Sequence, residues 1–349
     1  MAAPLPAVPG TSPGVSSATT TGVVPSTSTG TRPGTPSGGA GAAPSTPALP
    51  SREGFADEYP FAPHFFLVEG GQLHYVDEGQ GETLLCVHGN PTWSFAWRHV
   101  IGRFAPQRRV VAIDHLGCGF SSKPQWFPYR LEHRIAHLRA LIEGLDLRRI
   151  TLVVHDWGGA IGLGVAGQIP ERFARLVITN TGAFRSRHMP WRIAACRWPL
   201  VGPLAVRGLN AFAKAALVMA VEHPDRLTPA ARRGLLAPYG NWHDRVAIQR
   251  FVEDIPRNSD HPSFGTLVEV ERGLARLTHL PALLVWGERD WCFTPAFRQE
   301  FERRLPRAES LPIADAGHYV FEDARETLLA RMDAFFEAHP LAANGELPA

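Results

Sequence analysis

The chain has 349 residues, with 35 Lys and Arg against 33 Asp and Glu, so its formal net charge is only +2. The charges are balanced and form no dense run of Lys or Arg. This pattern does not indicate a protein that binds nucleic acid or a membrane surface. No apolar stretch reaches the roughly 20 residues that span a bilayer. The length suits one large α/β domain or two smaller ones.

The four cysteines, Cys86, Cys118, Cys196 and Cys292, lie far apart and form no Cys-x-x-Cys pair. This spacing argues against a zinc site or a disulfide framework and favours the reducing cytoplasm, which is the expected location. The sequence also lacks a metal signature such as His-Glu-x-x-His. We therefore expect neither a metal nor an organic cofactor.

The first 50 residues are rich in Ala, Pro, Gly, Ser and Thr, and their only charged side chain is Arg32. Such a tract has too little apolar area to offset the entropy of ordering the chain. It also lacks the basic and apolar regions of a secretory signal. We predict a disordered tail over residues 1–55.

From about residue 60, short β-rich runs alternate with helical ones, as in a doubly wound sheet with right-handed crossovers. Several runs are almost continuously apolar, which is typical of parallel strands covered on both faces. The apolar stripe of residues 129–145 predicts a helix. The predicted strands are 65–70, 72–79, 83–89, 109–115, 149–156, 175–181 and 282–290.

This alternation stops between residues 183 and 270, which look helical, contain many Pro, Trp and Phe residues, and show no convincing strand. The segment is too long for a loop, so we predict a helical cap inserted between core segments 56–182 and 271–341. Arg185 and Arg187 stand at the start of the cap segment. The simpler interpretation is that both side chains are exposed to solvent, and the alternative is that they contact a carboxylate.

The sequence VVHDWGGAIG (153–162) ends a strand and starts a helix, as the Gly-x-Ser-x-Gly nucleophile turn of hydrolases does. Asp156 stands where that motif has serine. The helix start supplies backbone N–H groups and a positive dipole end, which favour an ionised carboxylate. A simple helix N-cap is the alternative role for Asp156.

Three further segments support a catalytic reading. HGNPTW (88–93) follows a strand, so the backbone N–H groups of Asn90 and Trp157 are candidate oxyanion donors. His318, in ADAGHYVFEDA, is the candidate base. Asp290, at a strand end in WGERDWCF, is the candidate acid, with Glu288 as runner-up, because ITNTGAF (178–184) offers no carboxylate.

An aspartate is ionised at neutral pH and needs no base in order to attack. Asp156 is therefore expected to form a covalent ester, and His318, oriented by Asp290, to activate the water that hydrolyses it. Such chemistry suits a saturated carbon or a strained ring. The amide of Asn90 and the indole N–H of Trp157 are candidate donors to a halide leaving group.

The segments HGNPTWSFAWR, DHLGCGFSSKP, VVHDWGGAIG, WGERDWCFTPAF and GHYVFEDA resemble the haloalkane dehalogenases of the α/β-hydrolase superfamily. The resemblance covers about residues 60–340. Within that family, the sequence is most similar to the third subfamily. It implies an α/β-hydrolase fold with a mostly parallel eight-stranded sheet, flanking helices and a cap. The β-lactone decarboxylase of bacterial long-chain olefin biosynthesis is resembled equally well, which implies other enzymes of that route as partners. The oligomeric state stays open.

Either activity takes a small apolar substrate, a haloalkane or a long-chain β-lactone. We expect a haloalkane dehalogenase-type hydrolase, which cleaves a carbon–halogen bond to give an alcohol and a halide, with cis-β-lactone decarboxylation as the alternative; no single residue decides between the two substrates. An epoxide hydrolase would need two cap tyrosines, and the cap has only Tyr239. A non-catalytic homologue would normally have lost Asp156 or His318. A dinucleotide site at GCGFSS (117–122) lacks the third glycine. The predicted substrate pocket contains Trp93, Phe184, Trp191, Phe212 and Trp242.

Overall fold

The computed structural model describes residues 51–341, and a single β-sheet forms the centre of this part of the chain. Eight strands form one sheet in the order β1-β2-β4-β3-β5-β6-β7-β8. The β1–β2 and β2–β4 pairs are antiparallel, and all other neighbouring pairs are parallel. The predicted, mostly parallel eight-stranded sheet is confirmed. The strands are β1 His64–Val68, β2 Gly71–Glu78, β3 Thr83–Val87, β4 Arg109–Ile113, β5 Ile150–Asp156, β6 Phe173–Thr181, β7 Ala282–Gly287 and β8 Glu309–Ile313.

Helices cover both faces of the sheet, which explains why β3, β5, β6 and β7 are buried at every position. Side chains of α2, α3, α9 and α10 pack on one face, and those of α1 and α12 on the other. Between residues 51 and 341 no helix is both long and apolar enough to cross a bilayer. The helices are α1 Arg98–Phe104, α2 Leu131–Gly144, α3 Trp157–Gln168, α4 Trp191–Ala195, α5 Val201–Pro203, α6 Ala211–Met219, α7 Pro229–Leu236, α8 Val246–Glu253, α9 Phe264–Gly273, α10 Pro295–Arg304, α11 Val320–Asp323 and α12 Arg325–Ala338.

The segment between β6 and β7 contains helices α4 to α9 and no strand, as the sequence pattern predicts. The expected boundary between cap and core, at 270/271, falls inside α9. This helix packs against α3 of the core, where the backbones of Gly167 and Gly273 meet. Helix α9 therefore connects the cap to the core, and the purely cap-like helices are α4 to α8.

The tract 1–50 lies outside the described residues, but the predicted end of the tail at residue 55 is wrong. Phe55 is only 3% exposed, and its ring packs edge-on against Trp93 and Phe95. The Arg52 guanidinium donates to the carbonyls of Tyr59 and Phe61. Residues 51–55 thus belong to the packed structure, because one aromatic side chain buries enough surface to order them.

Candidate active site

Asp156 sits at a sharp turn between β5 and α3, as the motif requires. Its φ of 51° and ψ of −128° place it in a region that non-glycine residues rarely adopt. Two contacts hold the turn: the Thr181 hydroxyl donates to the Asp156 carbonyl, and Gly158 packs so closely on the carbonyl of Val87 that a Cβ would collide. The strained turn places the buried carboxylate at the end of the sheet.

Two backbone donors bind the carboxylate of Asp156. The N–H of Asn90 donates to Asp156 Oδ1 at 2.5 Å, and the N–H of Trp157 also donates to this carboxylate. Gly89 permits the close approach, since a Cβ there would collide with Asp156 Oδ1. The two N–H groups that the sequence suggests as oxyanion donors therefore both bind the Asp156 carboxylate itself.

His318 lies between the two carboxylates. Its Nδ1 donates to Asp290 Oδ2 at 2.7 Å, and its Nε2 lies 3.7 Å from Asp156 Oδ2. Asp290 follows β7, and His318 lies in the loop between β8 and α11. The three side chains, predicted from separate segments, lie together as a hydrogen-bonded Asp290–His318 pair next to the Asp156 carboxylate. Each is at most 7% exposed.

The charges of these groups depend on each other. Burial raises the pKa of Asp156, despite the opposing effects of His318 and the two backbone donors, so the helix start alone does not set this pKa. Burial also opposes ionisation of Asp290, but His318, the Cys292 N–H and Asn180 outweigh it and lower the pKa of Asp290. Burial disfavours the His318 cation, yet Asp290 and Asp156 together raise the pKa of His318 above its ordinary value.

Asn180 is a site residue that the sequence reasoning missed. Its Nδ2 donates to Asp290 Oδ2 at 2.9 Å and to the Gly287 carbonyl at 3.1 Å, and its Oδ1 accepts from the Gly287 N–H. Its position at the end of β6 could have identified it, but that strand end was considered only as a source of a carboxylate. Glu288, the runner-up acid, pairs instead with Arg298 at 2.9 Å.

Two further residues contact His318 and fix its position. His155 Nε2 donates to the carbonyl of His318 at 2.9 Å, and burial lowers the pKa of His155 well below its usual value. A neutral His155 with its proton on Nε2 therefore supports the His318 backbone. The ring of Phe293 stacks on the His318 imidazole, with centroids 5.7 Å apart.

The two candidate leaving-group donors both line a cavity of about 470 Å³ that ends at Asp156. The Asn90 Nδ2 donates one hydrogen to the Ile248 carbonyl at 3.2 Å, and no other bond of this amide to residues 51–341 is recorded. Trp157 packs against Phe251, with ring centroids 5.4 Å apart. Asn90 and Trp157 therefore combine backbone donors to Asp156 with side chains at the cavity wall.

The cavity is lined mainly by apolar side chains, and its volume lies in the ordinary range of small-molecule sites. It includes Phe184, Trp191 and Phe212 of the predicted pocket. Further lining residues from the cap, from the loop after β7 and from α10 include Met189, Ile193, Ala205, Val206, Ala216, Met219, Trp291, Phe293 and Phe297.

Trp93 and Trp242 do not line this cavity, so their prediction as pocket residues is wrong. Trp93 is fully buried among aromatic rings of the N-terminal segment, and its indole donates to the Gly234 carbonyl at 3.0 Å. Trp242 is 40% exposed and packs under the Arg207 guanidinium on the outside of the cap. An aromatic side chain in a cap segment can face the core, the solvent or the cavity, and local sequence does not distinguish these.

The tyrosines argue against epoxide opening. All five lie within the described part of the chain, and only Tyr319 lines the cavity. The hydroxyl of Tyr239, the one cap tyrosine, donates to the carbonyl of Thr92 at 3.3 Å and is buried. No tyrosine pair is placed to protonate a ring oxygen.

Comparison with known proteins agrees with this geometry. A family model described as alpha/beta hydrolase fold matches residues 82–203. The cis-3-alkyl-4-alkyloxetan-2-one decarboxylase of Shewanella oneidensis is 38% identical over 79% of this chain and 88% of that protein. Haloalkane dehalogenase 2 of Mycobacterium tuberculosis is 30% identical over 78% of this chain and 94% of that protein. The chain belongs to the haloalkane dehalogenase family of α/β-hydrolases.

A solved member of the family shows the same fold. The crystal structure of haloalkane dehalogenase DatA from Agrobacterium tumefaciens superposes with a TM-score of 0.71 at 28% identity, covering 79% of this chain and 96% of that one. The expected α/β-hydrolase enzyme is confirmed, and the family also includes the decarboxylase-like relatives.

Proposed function

We propose that this enzyme uses Asp156 to attack a saturated carbon, and that its substrate is a cis-3,4-dialkyl β-lactone, which it converts to an alkene and CO2. The observation that carries the first part is the hydrogen bonding of the nucleophile. The 38% identity to a decarboxylase of such lactones, against 30% to a dehalogenase, supports the second part.

In a serine-type hydrolase, the oxyanion donors must be free to bind the substrate's carbonyl oxygen. Here the N–H groups of Asn90 and Trp157 bind the nucleophile's own carboxylate. The Asn90 N–H occupies Asp156 Oδ1, whereas Oδ2 lies 3.7 Å from His318 Nε2, so Oδ2 is the oxygen that we assign to the attack. This arrangement favours substitution at a saturated carbon over addition to a carbonyl.

For a β-lactone, that carbon is C4 of the ring. Asp156 Oδ2 forms a bond to C4 with inversion, the C4–O bond breaks, and the ring oxygen leaves as part of a carboxylate that stays attached through C3. The bond from C3 to that carboxylate then supplies the electrons of the new C3=C4 double bond, CO2 departs, and the ester oxygen of Asp156 leaves C4 from the opposite side. Inversion followed by anti elimination converts a cis-lactone to a cis-alkene and regenerates Asp156 without consuming water.

His318 acts on the second step. The elimination restores a negative charge on Asp156, and an imidazolium 3.7 Å away stabilises it, together with the backbone donors. Asp290 and Asp156 raise the pKa of His318, although burial opposes this, and so favour the cation that this role requires. The four cysteines are free thiols, which is consistent with a cytoplasmic enzyme.

Haloalkane dehalogenation is the second candidate, and a specific observation favours it. Asn90 and Trp157 both line the cavity next to Asp156, where a halide would leave. Substitution would then give a neutral alkyl ester with no carboxylate to lose. A water activated by His318 would hydrolyse the ester, and the N–H groups of Asn90 and Trp157 would bind the oxyanion that forms on Oδ1.

A side-by-side assay tests the proposal. Purified enzyme is given a long-chain cis-3,4-dialkyl β-lactone, with alkene measured by gas chromatography and CO2 by trapping, and in parallel a 1-bromoalkane, with bromide measured. We expect cis-alkene and CO2 in equal amounts, dependent on Asp156, and slower release of bromide. A β-hydroxy acid as the lactone product, or bromide release as the only reaction, would reject lactone decarboxylation.

A further inference from the structure

One wall of the substrate cavity is a single layer of backbone. Trp191, Ile193, Ala205 and Val206 line the cavity from α4 and from the π-helical turn Leu204–Gly208 that follows α5. In the same stretch, neighbouring side chains face outwards. The segment 191–209 therefore separates the apolar cavity from the exterior by the thickness of one irregular helix.

The outer side of this wall is apolar. We define the outer cap patch as Trp198, Leu200, Val201, Leu204 and Leu209, which are between 57% and 86% exposed. Leu200, Val201 and Leu204 share one face at helical spacing, since the Leu204 N–H donates to the Leu200 carbonyl. Single exposed leucines are common, but a contiguous apolar patch with a tryptophan indicates a binding surface.

The segment of the chain that carries the outer cap patch has charged side chains of one sign, although Glu253 and Asp254 of the following helix region act on Arg197, and Glu253 acts on Arg207. Residues 183–221 contain five Arg and one Lys, and no Asp or Glu. Arg185 pairs with Glu271 of α9, but within residues 51–341 no ion pair is recorded for the other five cations. Arg187 and Lys214 are exposed, and Arg192 lies over the rings of Trp191 and Trp291 beside the cavity.

We propose that the outer cap patch docks on the surface of a bilayer containing anionic phospholipid. Trp and Leu side chains enter the boundary between headgroups and acyl chains, and the surrounding cations bind lipid phosphates. These cations are spread along the sequence, so the search for a dense basic run missed them. No helix needs to span the membrane for this kind of attachment.

Docking would place the thin cavity wall against the lipid. A long-chain apolar molecule dissolved in the bilayer could then enter the cavity through segment 191–209 without crossing water. This loading role rests on the proposed function, whereas attachment to lipid does not.

The charge pattern favours lipid over a second copy of the chain. A two-fold contact through the same patch would bring together two copies of segment 183–221, which carries six cations and no carboxylate of its own. An anionic bilayer instead supplies the missing negative charge.

Cosedimentation of the full chain with vesicles tests the proposal. We expect the wild type to bind vesicles of phosphatidylcholine mixed with phosphatidylglycerol, to bind pure phosphatidylcholine more weakly, and to dissociate in high salt. The variant L200S/L204S should partition about tenfold less into mixed vesicles, because both side chains are exposed and their loss removes apolar contact with lipid. The variant R187Q/K214Q should lose several-fold in binding to mixed vesicles only.

Matched substitutions elsewhere serve as controls. L67S removes another exposed leucine, 66% accessible on edge strand β1, and R272Q/R303Q removes two exposed cations from α9 and α10. Both should bind vesicles as the wild type does. Equal binding of L200S/L204S and wild type, or no binding of wild type to mixed vesicles, would overturn the proposal. Loss of an oligomer in L200S/L204S by light scattering, without vesicle binding, would assign the patch to contacts between copies instead.

The variant Asp156→Asn tests membrane attachment independently of the proposed catalytic function. This variant should bind vesicles normally while inactive. An enzyme that binds vesicles but does not decarboxylate lactones would reject the proposed substrate alone.

Discussion

The carboxyl end of the sheet and the cap differ in burial and in rigidity. At the sheet, Asp156, Asp290 and His318 are buried and held by donors from rigid elements, so their geometry is preorganised. In the cap wall, α4 has five residues and α5 has three, and their outer side chains are exposed. Short elements with few buried contacts open locally at low cost in free energy.

This difference assigns separate tasks to the two regions. In the proposed mechanism, the sheet end determines which bond breaks, because it fixes Asp156 and the charges around it. The cap determines which substrate arrives and how, because it supplies most of the cavity wall. Substitutions at the sheet end should therefore change kcat, and substitutions in the cap should change KM or attachment to lipid.

The largest effect is expected for Asp156→Asn. The amide keeps the shape of the carboxylate but is a far weaker nucleophile, so turnover of any substrate should fall by about four orders of magnitude or more. Steady-state assays measure the loss, and intact-mass spectrometry should show no covalent adduct. Retention of more than a small fraction of activity would mean that Asp156 is not the nucleophile.

His318→Gln should distinguish the two substrate classes. With a bromoalkane, the ester on Asp156 should form and persist, because no base activates water, and its mass should be added to the protein. With a cis-β-lactone, turnover should fall by about 10² to 10³, because the leaving carboxylate loses its cationic partner. Rapid hydrolysis of the bromoalkane adduct in this variant would contradict the assigned role of His318.

The pH dependence should differ in sign between the two reactions. Asp290 and Asp156 raise the pKa of His318 despite its burial, so the cation persists above the ordinary value near 6.5. Lactone turnover needs the cation and should fall about tenfold per pH unit once the pH exceeds that raised pKa. Hydrolysis of an alkyl ester needs the neutral base, and esterification removes the Asp156 charge, so this rate should instead increase with pH. Lactone turnover that increases over the same range would contradict an imidazolium role.

Asn180→Ala should have a smaller effect that combines stability and rate. It removes a donor to Asp290 and leaves the Gly287 N–H and carbonyl without their side-chain partner. We expect the free energy of unfolding to fall by about 2 kcal/mol and kcat by about tenfold. Denaturant titration and kinetics measure the two effects. Unchanged kcat in a destabilised protein would restrict Asn180 to a structural role.

The same contrast explains what the sequence could predict. Asp156, Asn90, Asp290 and His318 follow strands, and parallel strands bring their carboxyl ends to one edge, so local patterns locate the site. Asn180 was missed because ITNTGAF matches no motif comparable to HGNPTW, and this strand end was considered only as a source of a carboxylate. Trp93 and Trp242 were misplaced because packing between distant segments decides which way a cap or loop aromatic faces.

Two cap phenylalanines give the smallest and most specific test of this contrast. Phe212 of α6 is only partly buried and lines the cavity, whereas Phe184, also a lining residue, is 8% exposed and packs on Phe297 and Phe301 of α10. Phe212→Ala should raise KM for short-chain substrates a few-fold, leave kcat unchanged, and lower the free energy of unfolding by about 1 kcal/mol. Phe184→Ala should lower the free energy of unfolding by about 3 kcal/mol, since it leaves a void beside the core. If both variants change KM and stability alike, the cap side and the core side of the cavity do not have separate roles. Selection of the substrate would then depend on the core as much as on the cap.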